Sequence, residues 1–311
     1  MMLSKVAERV YWSARYLERV ESTARLLSIY DNLLFDLPRS VEISWYNLVV
    51  INSMEDIFAE RYSLKEERNV IKFFLADTDN YSSIVSSLNA LRENVRTTRD
   101  VVMSATWELT NELSLFVNEN LQQGINRKTR HEFFDHIIKS CQQILGMLFG
   151  SMPHDAAWQF MSLGRNLERA DMTTRILDAG ASAYLQTIED DQAVNSRQII
   201  LGHVLRSLNA DQAYRRIVRN TVSPDDVVEF LLEDQSFPRS IAYCHFAIQD
   251  SAKKLPRSKK VVDDVQYMCE ILGVDHCRKL NEKLPDYLNR LQVCHINLHK
   301  IISETWFPQW D

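Results

Sequence analysis

Apolar residues recur every three or four positions along the first thirty residues of the chain. Ser13 is the main polar interruption of a stripe formed by Leu3, Val6, Val10, Leu17, Val20, Ala24 and Leu27. This spacing places all of them on one face of an α-helix. The pattern therefore predicts a long first helix, of about seven turns, with the stripe in the core.

The same spacing predicts helices along most of the remaining chain. They are expected near 44–61, 65–76, 81–103, 104–121, 129–149, 154–186, 195–220, 225–234, 239–254, 259–273 and 276–305. The segments SMPHDAAW, SPDDVVEF and SFPRSIAY place proline at a first helical turn, which is where helices tolerate it. No alternating run competes as a strand. We expect an all-α helical bundle.

One charged helical segment is written twice. RYLERVESTARLL at 15–27 matches RNLERADMTTRIL at 165–177 with an offset of 150. At an offset of 157, VIKFFLAD at 70–77 matches VVEFLLED at 227–234, and Ser83-Ile84 matches Ser240-Ile241. Ordered matches predict an internal duplication with one insertion, within 178–194. We expect one domain over 1–311, with halves near 1–150 and 151–311 packed around a joint core.

The repeated charges have two interpretations. Local pairs such as Glu21 with Arg25 could form a solvated, salt-bridged flank. However, Glu18 and Arg19 lie beside Leu17 and Val20 of the apolar stripe, so part of the charge should face the packing groove. Buried charges require partners.

A second charged segment, RENVRTTRD at 92–100, places three arginines on one helix face. We expect them to face a shared groove with the two Glu-Arg units and to bind an anionic group, because guanidinium groups match carboxylate and phosphate geometry. The alternative is a structural or solvated stripe. The candidate ligand-binding or buried ion network comprises Arg15, Glu18, Arg19, Arg92, Glu93, Arg96, Arg99, Arg165, Glu168 and Arg169.

Composition limits the classes of function. Apolar residues at 45%, charged residues at 25% and a net charge of -6 describe an ordinary globular protein without an overall basic field for nucleic acid. No run of about 18 apolar residues predicts a membrane span. We expect a cytoplasmic protein. The chain has five cysteines: Cys141, Cys244, Cys269, Cys277 and Cys294. An odd number without a C-x-x-C pair favours a reducing compartment.

Familiar catalytic motifs are absent from the sequence. There is no G-x-x-x-x-G-K-[ST], G-x-G-x-x-G or G-x-S-x-G, so we expect no cofactor and assign no catalytic residue. HEFFDH at 131–136 is not H-E-x-x-H, and its two i, i+4 pairs lie on different faces, so we expect no metal. The tail SETWFPQW could clamp the bundle or contact a partner.

The duplicated RxLERxExTxRLL pattern, the start LSKVAERVYWSARYLERVESTARLL and RENVRTTRD together resemble the alpha-E family, a helical family named for its E-R motif. The resemblance implies a partner role beside circularly permuted ATP-grasp ligases or transglutaminase-like proteins. The favoured function is thus a non-catalytic accessory protein in peptide ligation or modification, with an Arg/Glu-lined groove for an anionic or peptide ligand. The alternatives are a helical enzyme using Arg/Glu acid-base chemistry on a small peptide, and a purely structural scaffold. Ser13-Ala14 departs from this resemblance, which implies a Met-Gly-like pair at that position, similar to Leu163-Gly164 of the second copy.

Overall fold

A computed structural model describes residues 2–37, 43–187, 193–274 and 279–308. These residues form helices and connecting turns, without strands. The helices are α1 (Ser4–Asp36), α2 (Asn47–Ile51), α3 (Glu55–Arg61), α4 (Glu67–Leu75), α5 (Ile84–Arg96), α6 (Ser104–Glu119), α7 (Leu121–Ile125), α8 (Arg130–Ser151), α9 (Ala156–Leu185), α10 (Ala193–Ser207), α11 (Asp211–Ile217), α12 (Pro224–Glu233), α13 (Ile241–Lys253), α14 (Lys259–Val274) and α15 (Leu284–Trp306). The expected all-α class is confirmed.

The two longest helices, α1 and α9, pack against each other at the centre of the molecule. Both are buried around much of their circumference. In α1, for example, every residue from Val20 to Ser28 is buried. Helices of a monomeric bundle usually expose one face. Here other helices cover the remaining faces, which is why charged side chains of α1 and α9 end up inside.

The other helices surround this pair in a matching arrangement. Helices α5 and α8 pack on α1, whereas α13 and α15 pack on α9. In turn α6 lies against α5 and α8, and α14 lies against α13 and α15. The neighbours of the two central helices therefore follow the same chain order. The duplication itself stays a prediction, and superposing the two halves is its test.

Side chains from both parts of the chain form one continuous apolar core. It includes Val10 and Leu17 of α1, Phe73 of α4, Leu167 of α9 and Leu288 of α15, each almost fully buried. Burying apolar surface at roughly 25 cal/mol per Å² is the main stabilising contribution to such a core. The central charges therefore sit in an apolar surrounding and need partners within it.

Several helices end earlier than their periodicity predicts. The predicted helices 44–61 and 195–220 are each two helices, because Ser53 and Asn209 adopt positive φ angles of 52° and 53°. That left-handed conformation cannot continue a right-handed helix. The predicted helix 81–103 ends at Arg96, and the one over 276–305 begins at Leu284, with proline in its first turn.

The aromatic tail belongs to the bundle. Trp306 is 3% exposed and donates from Nε1 to the carbonyl oxygen of Pro256 at 2.7 Å, while Phe307 contacts Tyr11 and Phe160. Trp310 and Cys277 lie outside the described residues. The cysteines that the structure does describe are free thiols. None of the described helices is long and apolar enough to cross a membrane.

Candidate functional site

A glycine brings the two central helices together. A Cβ atom built on Gly164 of α9 would lie 2.2 Å from the carbonyl oxygen of Tyr11 on α1, closer than any side chain allows. Only glycine permits this approach without a backbone shift. One turn further along α9, Glu168 and Arg169 face α1, and Glu18 and Arg19 face α9. The close approach thus places the two Glu-Arg steps opposite each other.

The two steps pair reciprocally across the helix interface. Arg169 donates from Nε to Oε1 of Glu18 at 3.0 Å and from Nη2 to Oε2 at 2.7 Å. Arg19 does the same to Glu168, from Nε to Oε1 at 2.5 Å and from Nη2 to Oε2 at 3.1 Å. Both contacts are bidentate, the strongest arrangement of an arginine with a carboxylate. Each glutamate is therefore neutralised by the opposite helix.

Around Glu18 lies a densely paired group that we call the Glu18 network: Glu18, Glu21, Arg25, Arg165, Arg169 and Arg239. Arg239, which precedes α13, donates from Nη1 to Oε1 of Glu18 at 2.6 Å and from Nη2 to Oε1 of Glu21 at 3.1 Å. Arg25 also donates to Oε1 of Glu21, at 2.5 Å. The guanidinium of Arg239 thus bridges two carboxylates on successive turns of α1.

Arg165 is the least satisfied member of this network. Its guanidinium lies 4.4 Å from the ring centre of Phe149, and its buried Nε has no hydrogen-bond partner among the described residues. Burial, together with repulsion from Arg169, lowers the pKa of Arg165 to about 10. Arg165 therefore remains charged at neutral pH, held by the aromatic face and the field of Glu18.

The second group, the Glu168 network, comprises Arg15, Arg19, Glu168, Asp171 and Arg175. Arg15 donates from Nε to Oε2 of Glu168 at 2.7 Å. Arg175 donates from Nε to Oδ2 of Asp171 at 2.8 Å and from Nη1 to the carbonyl oxygen of Ile51 at 3.2 Å. The three arginines exceed the two carboxylates, so this network carries one net positive charge.

Both central glutamates are ionised over a wide pH range. Burial opposes ionisation of Glu168, but Arg19 and Arg15 outweigh it and lower its pKa to about 2. For Glu18, burial is likewise outweighed by Arg169 and Arg239, and its pKa also falls to about 2. Neither carboxylate can exchange a proton readily near neutrality.

A cavity of about 250 Å³ adjoins the Glu168 network, and we call it the Glu168 cavity. Its rim includes Tyr81 and Ile296, which are 63% and 61% exposed, so the cavity is reached from the surface. The polar lining residues are Arg15, Arg19, Thr23, Asn52, Ser82, Glu168, Asp171, Arg175, His295 and His299.

Two histidines of α15 close one side of this cavity. Burial first, then Arg175 and Arg15, lowers the pKa of His295 to about 3. Burial and Arg15 lower that of His299 to about 4. His299 shares a 2.9 Å hydrogen bond between Nδ1 and the hydroxyl of Tyr11, and His295 shares one of the same length with His245. Both rings are therefore neutral and act as polar walls.

Comparison with known proteins assigns the family. A family model described as "a predicted alpha-helical domain with a conserved ER motif" matches residues 2–307. The chain belongs to the Alpha-E family. Over 293 residues it is 24% identical to uncharacterized proteins of Mycobacterium bovis and Mycobacterium tuberculosis, with 84% of this chain covered. The chain spans 31% of the length of these curated relatives. No solved structure matches.

In this Alpha-E chain, the arginines of 92–100 neither line the Glu168 cavity nor contact the Glu18 network, so the expectation of one shared groove is wrong for them. Arg92 donates to Asn111, and Arg96 pairs with Glu93 on the same exposed face of α5. Arg99 is exposed and stacks on Trp107, with its Cζ 4.3 Å from the ring centre. The apolar face of α5, which includes Leu88, Leu91 and Val95, packs inward. Arg92, Glu93, Arg96 and Arg99 therefore point outward.

The structure does bring together Arg15, Glu18, Arg19, Arg165, Glu168 and Arg169. Sequence reasoning did not find Arg239 or Ser82, which lie one residue before the helix N-caps Ser240 and Ser83. The signal was available, because the match of Ser83-Ile84 to Ser240-Ile241 makes them counterparts that differ in charge. Among the described residues, no three His, Cys, Asp or Glu side chains converge as a metal site.

Proposed function

We propose that this Alpha-E chain is a helical accessory protein that binds a carboxylate-bearing peptide ligand in the Glu168 cavity and acts beside an ATP-grasp-type ligase. The supporting observation is the cavity itself, with three guanidinium groups against two carboxylates in its wall. Pockets that bind small ligands commonly combine such a concave shape with a few convergent polar groups. The ligase as partner follows from the family resemblance.

The arginines retain donors for a ligand. Within the described residues, Arg19 donates through Nε and Nη2, and Arg175 through Nε and Nη1. A guanidinium has five N–H donors, so each arginine keeps at least one for a further carboxylate. A carboxylate bound there would balance the net positive charge of the network. Thr23 and Ser82 also line the cavity, and their side-chain hydroxyls can form hydrogen bonds to the ligand.

The acid-base enzyme is the weaker candidate because of the protonation states of the wall. A general acid or base works best with a pKa near the working pH. Glu168 has a pKa of about 2, and His295 and His299 have pKa values of about 3 and 4. These groups hold fixed protonation states at neutral pH, which suits binding and orientation.

A reconstituted assay tests the proposal. A circularly permuted ATP-grasp ligase is incubated with ATP and a dipeptide pool, with and without the Alpha-E chain, and ADP and ligated peptide are measured. We expect the chain to stimulate peptide formation, and Arg175→Met to reduce the stimulation about tenfold or more, the effect of losing one charge-assisted contact. Arg96→Met, on the exposed face of α5, is the matched control and should stimulate fully. A ligase equally active without the chain would contradict the proposal.

A further inference from the structure

In the Glu18 network, an arginine of the protein itself bridges two neighbouring carboxylates. In it, the guanidinium of Arg239 lies between Glu18 and Glu21 and donates one hydrogen bond to each. Its side chain is 12% exposed, so the space between these carboxylates is filled by the protein's own arginine. The chain thereby shows which chemical group fits between two carboxylates held one turn apart on a central helix.

The Glu168 network offers a similar pair of carboxylates, but among the described residues no guanidinium donates to both of them. Arg15 and Arg19 donate to Glu168, and Arg175 donates to Asp171. Glu168 and Asp171 stand on α9 at the spacing that Glu18 and Glu21 have on α1. The counterpart of Arg239 is Ser82. Each residue precedes a serine N-cap whose Oγ accepts a hydrogen bond from the backbone N–H three residues later. The donor is Ser86 N in one case and Tyr243 N in the other. A serine side chain is too short to reach across, and Ser82, Glu168 and Asp171 line the Glu168 cavity.

The acceptors beside Ser82 retain bonding capacity. Oε2 of Glu168 already accepts from Arg15 and Arg19, whereas Oε1 accepts, among the described residues, from Nε of Arg19 alone. Asp171 accepts from Arg175 through Oδ2. A carboxylate oxygen can accept two hydrogen bonds, as Oε1 of Glu18 does from Arg169 and Arg239. A planar cation can therefore bridge Glu168 and Asp171 without displacing the arginines already bound.

We infer that the Glu168 cavity takes a guanidinium group, the side chain of an arginine residue in the peptide ligand, between Glu168 and Asp171. The identity of the ligand as a peptide rests on the proposed function, whereas the guanidinium rests on the comparison of the two networks. The Glu18 network shows that the interior can hold the positive charge that this adds. The Glu18 network already holds Arg25, Arg165, Arg169 and Arg239 around two carboxylates, and a bound guanidinium would bring the Glu168 network to the same excess of two positive charges.

A ligand series separates this inference from the proposed function. The chain is titrated by calorimetry with L-arginine, L-citrulline and L-argininamide. Citrulline replaces the guanidinium by a neutral urea of the same shape, and argininamide removes the carboxylate. We expect citrulline to bind at least tenfold more weakly than arginine, as expected for loss of charge-assisted hydrogen bonds. Equal binding of arginine and citrulline, or no binding of arginine at millimolar concentration, would overturn the inference.

Argininamide reports on the other half of the ligand. If it binds as tightly as arginine, the guanidinium is recognised and the carboxylate adds nothing, so the proposed carboxylate contact fails while the inference stands. If citrulline matches arginine and argininamide binds weakly, the opposite holds. The two failures therefore have different signatures in one experiment.

Chemical rescue tests whether a free guanidinium compound binds between Glu18 and Glu21, and it needs no ligand of the Glu168 cavity. Arg239→Ala opens a space between Glu18 and Glu21, and we expect its melting temperature to fall by several degrees. Ethylguanidinium at 5–20 mM, an order-of-magnitude choice for weak site binding, should recover part of that loss. Ethylurea at the same concentration should recover none. Equal rescue by both compounds would overturn the inference.

The converse variant covers the case in which Arg239→Ala fails to fold. Ser82→Arg supplies the Glu168 network with its own guanidinium at the position equivalent to Arg239. We expect this variant to lose binding of L-arginine at least tenfold and to melt at a higher temperature than the parent. Ser82→Met, which has a similar stem without charge, should not raise the melting temperature. A Ser82→Arg protein that binds arginine as the parent does would contradict the proposed position.

Discussion

The Glu18 and Glu168 networks both pair arginines with carboxylates, but they differ in what lies between their two carboxylates. In the Glu18 network, Arg239 completes the pairing of Glu18 and Glu21, and the space between them is filled. Beside the Glu168 network, Ser82 precedes the serine N-cap of α5 as Arg239 precedes that of α13, and a cavity of about 250 Å³ adjoins Glu168 and Asp171. A guanidinium thus bridges the two carboxylates of one network, whereas the two carboxylates of the other border a cavity. The networks also differ at Arg15, which donates to Glu168, and Arg165, which stacks on Phe149.

Acidification should weaken both networks together and is expected to have the largest effect. The fold holds the pKa of Glu18 and Glu168 at about 2, below the ordinary value of 4.5. A carboxylate with a lowered pKa stabilises the fold above its unfolded pKa and loses that contribution as the pH falls toward its folded pKa. Each glutamate should contribute on the order of 3 kcal/mol, lost between about pH 5 and pH 2.

Urea unfolding at successive pH values measures this loss. Because other carboxylates also titrate in that range, the double variant Glu18→Gln/Glu168→Gln is the reference. Its free energy of unfolding should depend less steeply on pH below 5 than that of the parent. Parallel curves for the two proteins would contradict the assignment of the acid sensitivity to these networks.

Removing one carboxylate at a time separates the two networks. Glu18→Ala leaves Arg169 and Arg239 without their shared partner, and we expect a loss of about 3–5 kcal/mol. Glu168→Ala should cost less, because the Glu168 cavity admits water to Arg15 and Arg19. Glu93→Ala, on the exposed face of α5, is the control and should unfold with the parent. Equal losses at Glu18 and Glu168 would remove the distinction between a closed and an open network.

The close approach of α1 and α9 can be tested at Gly164. A methyl group there meets the carbonyl oxygen of Tyr11, so Gly164→Ala should destabilise the fold by about 1–3 kcal/mol, as overpacking does. At Gly146 of α8 a Cβ meets nothing within 4 Å, so Gly146→Ala should stabilise by about 0.5–1 kcal/mol through helix propensity. Thermal melts of the two variants should therefore shift in opposite directions. Shifts of the same sign would contradict the steric argument.

The smallest expected effect is at the surface stripe of α5. Arg96 is exposed and pairs with its neighbour Glu93, so Arg96→Ala should leave the midpoint of urea unfolding unchanged. The same variant should bind L-arginine as the parent does, because it lies outside the Glu168 cavity. A lower midpoint of urea unfolding, or weaker binding of L-arginine, would show that the exposed arginines of α5 contribute to stability or to the site.

The sequence by itself determined the helical class and the two long helices α1 and α9 that carry the repeated charges. Local signals suffice for these features. Apolar spacing marks the inward face of a helix, and Ser83, Ser223 and Ser240 cap helix starts through bonds to residues three positions later. The repeated Glu-Arg steps beside apolar positions left two placements open for these charges, a solvated flank or the packing groove.

Only the tertiary structure decided which charges meet. Glu18 pairs with Arg169 and Glu168 with Arg19, across 151 and 149 residues, because Gly164 sets the register of α9 on α1. The arginines of α5 share the period of a helix face, yet that face points to solvent. Periodicity is local along one helix, whereas an ion pair between helices depends on their spacing, their register and the residues that enter from neighbouring turns, as Arg239 does. For that reason the contacts of Arg239 and the Glu168 cavity are seen only in the assembled helices.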